Sequence, residues 1–222
     1  MNVTIQSNNE QLERDIDVKI LGVLFNEHLS WKSHVNAITK TCYVTLKTLK
    51  VLQRVADFRL RKMLMQSLIL SKLNYCNVLL ADAPQYLIKK LQKIQNAAAG
   101  YVYGRRANEI DVVNLKWLTV SENISTSLAK LAHKALNESS WPRYLPLPKA
   151  LPQERNLRSQ TSANNDIDIS NTFDGSFVFS AGKSFNELPD NVKSLEEYER
   201  FTSKCSSYYF DKATARVLSM NL

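Results

Sequence analysis

The chain has 222 residues, 29 Lys and Arg against 21 Asp and Glu, and a formal net charge of +8, which is enough for one large domain or two small ones with a real core. Five Gly and six Pro exclude a collagenous or Gly/Pro-rich disordered chain. No run reaches the ~18 apolar residues of a membrane span, and the start, Met1-Asn-Val-Thr-Ile-Gln6, lacks the basic and apolar regions of a signal peptide.

In chain order, residues 1–29 read as a β-hairpin. Val3 and Ile5 alternate with polar residues, Ser7-Asn-Asn-Glu10 is a polar break, and Val18-Lys-Ile-Leu-Gly-Val-Leu-Phe25 is one apolar run of strand length. Gly22 inside that run marks a bulge or a close backbone approach. From Ser30, a candidate N-cap, the period changes. Val35, Ile38, Cys42, Leu46, Leu49 and Leu52 recur at helical spacing. At 100° per residue, Lys40, Lys47, Lys50 and Arg54 gather within about 80° on the opposite face. A second helix is expected from an Asp57 N-cap to about Leu80. It opens with Arg59, Arg61 and Lys62 and is then apolar on most sides. A third begins at Asp82-Ala-Pro84; it buries Leu87, Leu91, Ile94 and Ala98, turns Lys89, Lys90 and Lys93 outward, and stops before Arg105 and Arg106.

Residues 107–136 form a connecting helical segment. Thr119-Val-Ser-Glu122 has the form of a capping box, and Ile124, Leu128, Leu131 and Ala135 form an apolar stripe. Residues 137–172, rich in Pro, Ser and Asn, read as a linker. Residues 173–222 close the chain: Ser194-Leu-Glu-Glu197 is a second capping box, followed by a stripe of Leu195, Tyr198, Phe201, Cys205 and Tyr208. The expected fold is mainly α: a short N-terminal β-hairpin, a basic three-helix bundle over 30–106 and a smaller helical C-terminal region.

The charge is not spread evenly. Residues 32–106 hold 14 basic residues and only two acidic ones, Asp57 and Asp82, a local +12, whereas residues 111–222 balance 13 against 13. Such a field attracts a polyanion; a solvated basic helical surface would look the same in sequence.

No reaction centre is legible. His28, His34 and His133 have no partner at metal-ligand spacing, and no phosphate loop, dinucleotide fingerprint or nucleophile elbow occurs. Cys42, Cys76 and Cys205 suit a reducing, intracellular setting, nucleus or cytoplasm, and neither a disulfide framework nor a zinc site. Tyr75 and Cys76 read as core residues, and Cys76 has no adjacent base that would make it a nucleophile. The acid pairs Asp15/Asp17 and Asp166/Asp168 read as solvated loop carboxylates and not as a two-metal site.

Six segments in order resemble one family. Val18-Lys-Ile-Leu-Gly-Val-Leu-Phe-Asn-Glu-His-Leu-Ser-Trp-Lys-Ser-His-Val35 is similar to a "KYLGV…LSW-x-x-H(VI)" segment, and Leu73-Asn-Tyr-Cys-Asn77 to "L-(DE)-Y-C-(NS)". Lys89-Lys-Leu-Gln-Lys-Ile-Gln-Asn96 resembles "KKL-x-x-(IV)-QN", and Leu115-Lys-Trp-Leu-Thr-Val120 resembles "L-x-WLPV". Leu157-Arg-Ser159 matches "LRS", and Phe185-Asn-Glu-Leu-Pro189 with Phe201 resembles "WN-x-LP…F". These are segments of the thumb and downstream region of non-LTR retrotransposon reverse transcriptases of the jockey/CR1 type. Phe185 stands where the family has Trp, and Ser121-Glu-Asn123 where it has a basic stretch.

The resemblance implies a thumb that grips an RNA–DNA or other nucleic-acid duplex, beside a palm and fingers that this sequence does not contain. The family's "(YF)ADD" turn is absent, so Mg²⁺ would belong to that palm and no cofactor or catalytic residue is expected here. The residues implied in nucleic-acid binding are Lys40, Lys47, Lys50, Arg54, Arg59, Arg61, Lys62, Lys89, Lys90, Lys93, Arg105 and Arg106. The alternatives are a helical protein-interaction module of retroelement origin, or a truncated product without function.

Overall fold

A computed structural model describes residues 5–7, 10–12, 17–138, 141–142, 149–150, 166–170, 172–174 and 176–219. Val3, Asp15, most of the expected linker and Leu157-Arg-Ser159 lie outside them.

The first elements are antiparallel pairs: β1 (Ile5–Ser7) with β2 (Glu10–Leu12), and β3 (Asp17–Ile20) with β4 (Val23–Asn26). The apolar run over 18–25 is therefore two strands and not one. Ile20 pairs with Val23, and Leu21 (φ 47°) and Gly22 (φ 86°) form the two-residue loop between them. Positive φ at both positions is the geometry of a turn whose twist matches that of the strands. The expected cap at Ser30 is also absent, because Ser30 is held by Asn26, whose Oδ1 accepts from the Ser30 amide at 2.6 Å. Helix α1 (Lys32–Leu49) follows, preceded by Trp31.

On α1 the stripe is as expected: Val35, Cys42 and Leu49 are buried, with Ile38 and Leu46 packed against the core. Leu52 leaves the stripe, because the chain tightens into a 3-10 turn (Leu52–Arg54) that exposes it. Asp57 caps α2 (Phe58–Met65) by accepting from the Leu60 amide at 2.7 Å. The single helix expected to reach Leu80 is instead interrupted. A π-turn (Gln66–Leu70) and α3 (Ser71–Asn74) end at an extended Tyr75 and a left-handed Cys76 (φ 52°), and a 3-10 turn (Asn77–Leu80) resumes. The break takes Tyr75 out of the core, where the sequence places it, and points it exposed to the hairpin, where its hydroxyl donates to the Leu21 carbonyl at 2.7 Å.

Helix α4 (Gln85–Tyr103) buries Leu87, Leu91, Ile94 and Ala98 as expected. It ends at Gly104 in the left-handed conformation (φ 73°), whose amide caps the Gly100 carbonyl. Its neighbour is α1, and the two run side by side in the same direction. Lys90 Nζ meets Asn36 Oδ1 at 2.5 Å near their N-termini, and the Tyr101 hydroxyl donates to the Leu49 carbonyl at 3.0 Å near their C-termini.

Short α5 (Glu109–Asn114) carries a capping box built by Asn108 and Asp111. Helix α6 (Val120–Asn137) packs on α4 and on two later helices, α7 (Phe177–Asn186) and α9 (Tyr198–Ser219). Between these lie the strand pair β5 (Lys149–Ala150) and β6 (Ile167–Asp168) and the single turn α8 (Asp190–Lys193). Gly182 lets β6 and the residue after it approach α7: a Cβ there would overlap the Ile169 side chain and crowd Ile167. The Asn186 side chain bonds both backbone groups of Ile167. Buried Phe185 fills the core beside Phe201 and Tyr209.

Both predicted capping boxes are replaced. Ser194 ends α8 instead of starting α9. Thr119 precedes α6, but its hydroxyl donates to the Glu122 carboxylate and accepts from no helix amide. The competing partner is Arg216 of α9. Its Nε donates to Glu122 Oε1 at 2.9 Å, and its Nη2 reaches Glu122 Oε2 at 3.2 Å, Thr119 Oγ1 at 3.2 Å and Glu109 Oε2 at 3.4 Å. On α9 the buried stripe is Phe201, Cys205, Tyr209, Ala213 and Val217. Tyr209 takes the place expected for Tyr208, since a spacing of four continues to Ala213 and Val217 and its hydroxyl bonds the Ser184 carbonyl at 2.5 Å. Asp166 is not a loose acid; it pairs with nearly buried Lys193 at 2.5 Å.

Candidate nucleic-acid interface

The faces of α1 and α4 that look away from the core bound a groove of about 960 Å³. Tyr43, Lys47 and Lys50 line one wall, and Lys93, Asn96 and Ala97 line the other. The helical period explains this. Lys40, Tyr43, Lys47 and Lys50 recur every three or four residues opposite Val35, Cys42 and Leu49, while Lys89, Lys93, Ala97, Gly100 and Gly104 do the same on α4. Arg105, Arg106 and Ala107 close the end beyond Gly104.

Five of the twelve sequence-selected residues therefore meet at one place: Lys47, Lys50, Lys93, Arg105 and Arg106. Lys40 continues the α1 row, and Lys89 lies one turn before Lys93. Arg61 lies against the same end, with its guanidinium 3.5 Å from where a Gly104 side chain would begin. Lys90 is occupied with Asn36. Arg54, exposed on the 3-10 turn, and Arg59 and Lys62 on α2 do not line the groove.

Among the described residues no carboxylate lines this groove. The two acids of the basic segment are used elsewhere: Asp57 caps α2, and Asp82 accepts from Ser180 of α7 at 3.4 Å. Arg105 is neutralised by Asp111, which accepts from both of its terminal nitrogens at 2.5 and 3.1 Å. That hydrogen bond holds the Asp111 carboxyl below the usual carboxylate range and raises the Arg105 guanidinium in turn. Among the described residues Lys47, Lys50, Lys93 and Arg106 form no ion pair. Four uncompensated cations around one concave surface make a focused positive potential.

Several groove residues carry no charge and were not singled out from sequence. Tyr43 is 46% exposed. Asn96 accepts from Gln92 through Oδ1 while its amide has no acceptor among the described residues, and Gln53 donates to the Tyr101 carbonyl at 2.7 Å. The spacing of Ala97, Gly100 and Gly104 was the signal for a shallow helix face.

His34 and His133 are structural, while His28 is exposed beside Glu27. His34 accepts from the Leu24 amide through Nδ1 at 3.3 Å, which ties β4 to α1, and burial lowers its pKa. His133 stacks on Phe201 at 4.0 Å, and its Nε2 donates to the Leu195 carbonyl at 2.7 Å. Among the described residues no group of three or more His, Cys, Asp or Glu could hold a metal ion, and no helix is long and apolar enough to cross a membrane. Comparison with protein-family models, with curated proteins and with solved structures finds no match.

Proposed function

We propose that the chain binds nucleic acid through its phosphate backbone, in the manner of the reverse-transcriptase thumb it resembles, with no catalytic step of its own. The observation that carries this is the α1–α4 groove, where four cations meet that, among the described residues, have no ion pair and no lining carboxylate. Backbone contacts of this kind position a nucleic acid and read little sequence. Polymerisation and Mg²⁺ chemistry would fall to a palm outside this sequence.

The test is binding of a fluorescent RNA–DNA hybrid to the full chain and to a Lys47→Glu/Lys50→Glu/Lys93→Glu variant. Charge reversal should weaken binding on the order of 100-fold, while Lys204→Glu, at an exposed site on α9, should change it little. Equal loss from both variants would reduce the groove to general basicity, and no effect from either would sink the proposal.

A second reading has one observation in its favour. Val18, Ile20, Leu21, Leu29 and Tyr75 are exposed together around the β3–β4 hairpin, an apolar surface suited to a protein partner such as a palm. It predicts binding of an apolar dye that falls when Val18 and Ile20 become Thr, with nucleic-acid binding unaltered. Unchanged dye binding would refute it.

A further inference from the structure

We propose that the strand held in the α1–α4 groove is single-stranded, with one base stacked on Tyr43. This rests on the nucleic-acid reading above and narrows it, because the groove is narrower than a duplex. Two helices in contact have axes about 8–10 Å apart. A duplex is far wider, since its major groove alone, about 12 Å across, admits a whole helix. A duplex would rest on the lysines of the rim and leave the floor empty. A single strand can lie between the two walls, where Ala97 presents only a methyl group, while the Arg105–Ala107 backbone folds over Gly100 and closes the end.

The lining matches what an unpaired strand needs. Lys47 and Lys50 on one wall face Lys93 on the other, with Arg106 at the end, so phosphates are met along the groove's length. Tyr43 sits on the α1 wall, half exposed, and has no ring partner among the described residues. A cationic groove with an available aromatic face is the arrangement that holds bases without reading them. The amide of Asn96, with no acceptor among the described residues, supplies a donor for a base edge or phosphate. The volume of about 960 Å³ holds more than a single base and is open along the helices.

The experiment uses the full chain and two fluorescent probes: a single-stranded oligonucleotide of about 12 nucleotides, within the site sizes such grooves cover, and the RNA–DNA hybrid of the same sequence. The single strand should bind more tightly. Tyr43→Ala should weaken the single strand about tenfold and leave the hybrid unchanged, while Tyr43→Phe, which keeps the ring, should restore binding. Tighter binding of the hybrid, with Tyr43→Ala affecting neither probe, would overturn this inference and leave phosphate binding standing. Failure of both probes at low salt would overturn both. Vesicles containing phosphatidylserine are the third probe, since Val51, Leu52 and Val55 lie exposed near Lys50 and Arg54. Binding to vesicles alone would assign the basic surface to a membrane and overturn the inference.

Discussion

Arg216 fastens α9 to α5 and α6, and its removal should be costly for a calculable reason. Its guanidinium makes two hydrogen bonds to Glu122 and one to Thr119 and lies 3.4 Å from Glu109, so α9 is tied to α5 and to the start of α6. The Glu122 side chain is only 7% exposed. Arg216→Met leaves that carboxylate buried with the Thr119 hydroxyl as its remaining donor. Breaking a fully buried pair costs about 3–5 kcal/mol. The Arg216 side chain is 35% exposed, so water relieves part of this, and about 2–3 kcal/mol is expected. For a chain of this size that lowers Tm by roughly 5–10 °C. Urea unfolding of Arg216→Met, Glu122→Gln and the double variant measures it. Glu122→Gln should recover part of the loss in the Arg216→Met background, because an amide needs no counter-charge. A loss below about 0.5 kcal/mol for Arg216→Met, or strict additivity of the two changes, would refute the reasoning.

Other consequences are checkable in the same way. Asp111 has its pKa lowered by Arg105, so the stability it contributes is complete above the ordinary Asp range and is lost as pH falls through the lowered value. Asp111→Asn should therefore cost about 1 kcal/mol near neutrality and nothing in strong acid, by urea titration at each pH. Burial pushes the Cys205 thiol up to about 12 and raises Cys42 as well. Alkylation at about pH 8.5 should then mark only the part-exposed Cys76 in the folded chain and all three thiols in urea, read by peptide mass. Leu21 is 86% exposed at φ 47°, so Leu21→Asn should relieve roughly 0.5–1 kcal/mol of turn strain. Slower hydrogen exchange at Val23 would be the sign of it, and faster exchange would count against it.

What was legible in the sequence was what depends on local period. The α1 and α4 stripes, the Asp57 cap and the basic rows of both helices follow from spacing alone. The β3–β4 turn was hidden because Leu21 is not a residue that turns favour, and only Gly22 hinted at it. The break at Cys76 was hidden for the same reason, since a left-handed cysteine has no sequence mark. Thr119 and Glu122 had the right spacing for a capping box, yet Arg216 lies far along the chain and took both side chains. The groove falls in between. Its cations could be named, but only the parallel pairing of α1 and α4 brings Lys47 and Lys50 to Lys93. That same pairing leaves Arg54, Arg59 and Lys62 outside.

The most direct test of phosphate binding by the groove is the salt dependence of affinity for the RNA–DNA hybrid. Four unpaired groove cations, Lys47, Lys50, Lys93 and Arg106, each neutralising one phosphate, give a slope of log affinity against log salt of about −3 to −4. The Lys47→Glu/Lys50→Glu/Lys93→Glu variant should flatten it to about −1 or less. A wild-type slope near zero, or a slope the variant leaves unchanged, would contradict the assignment.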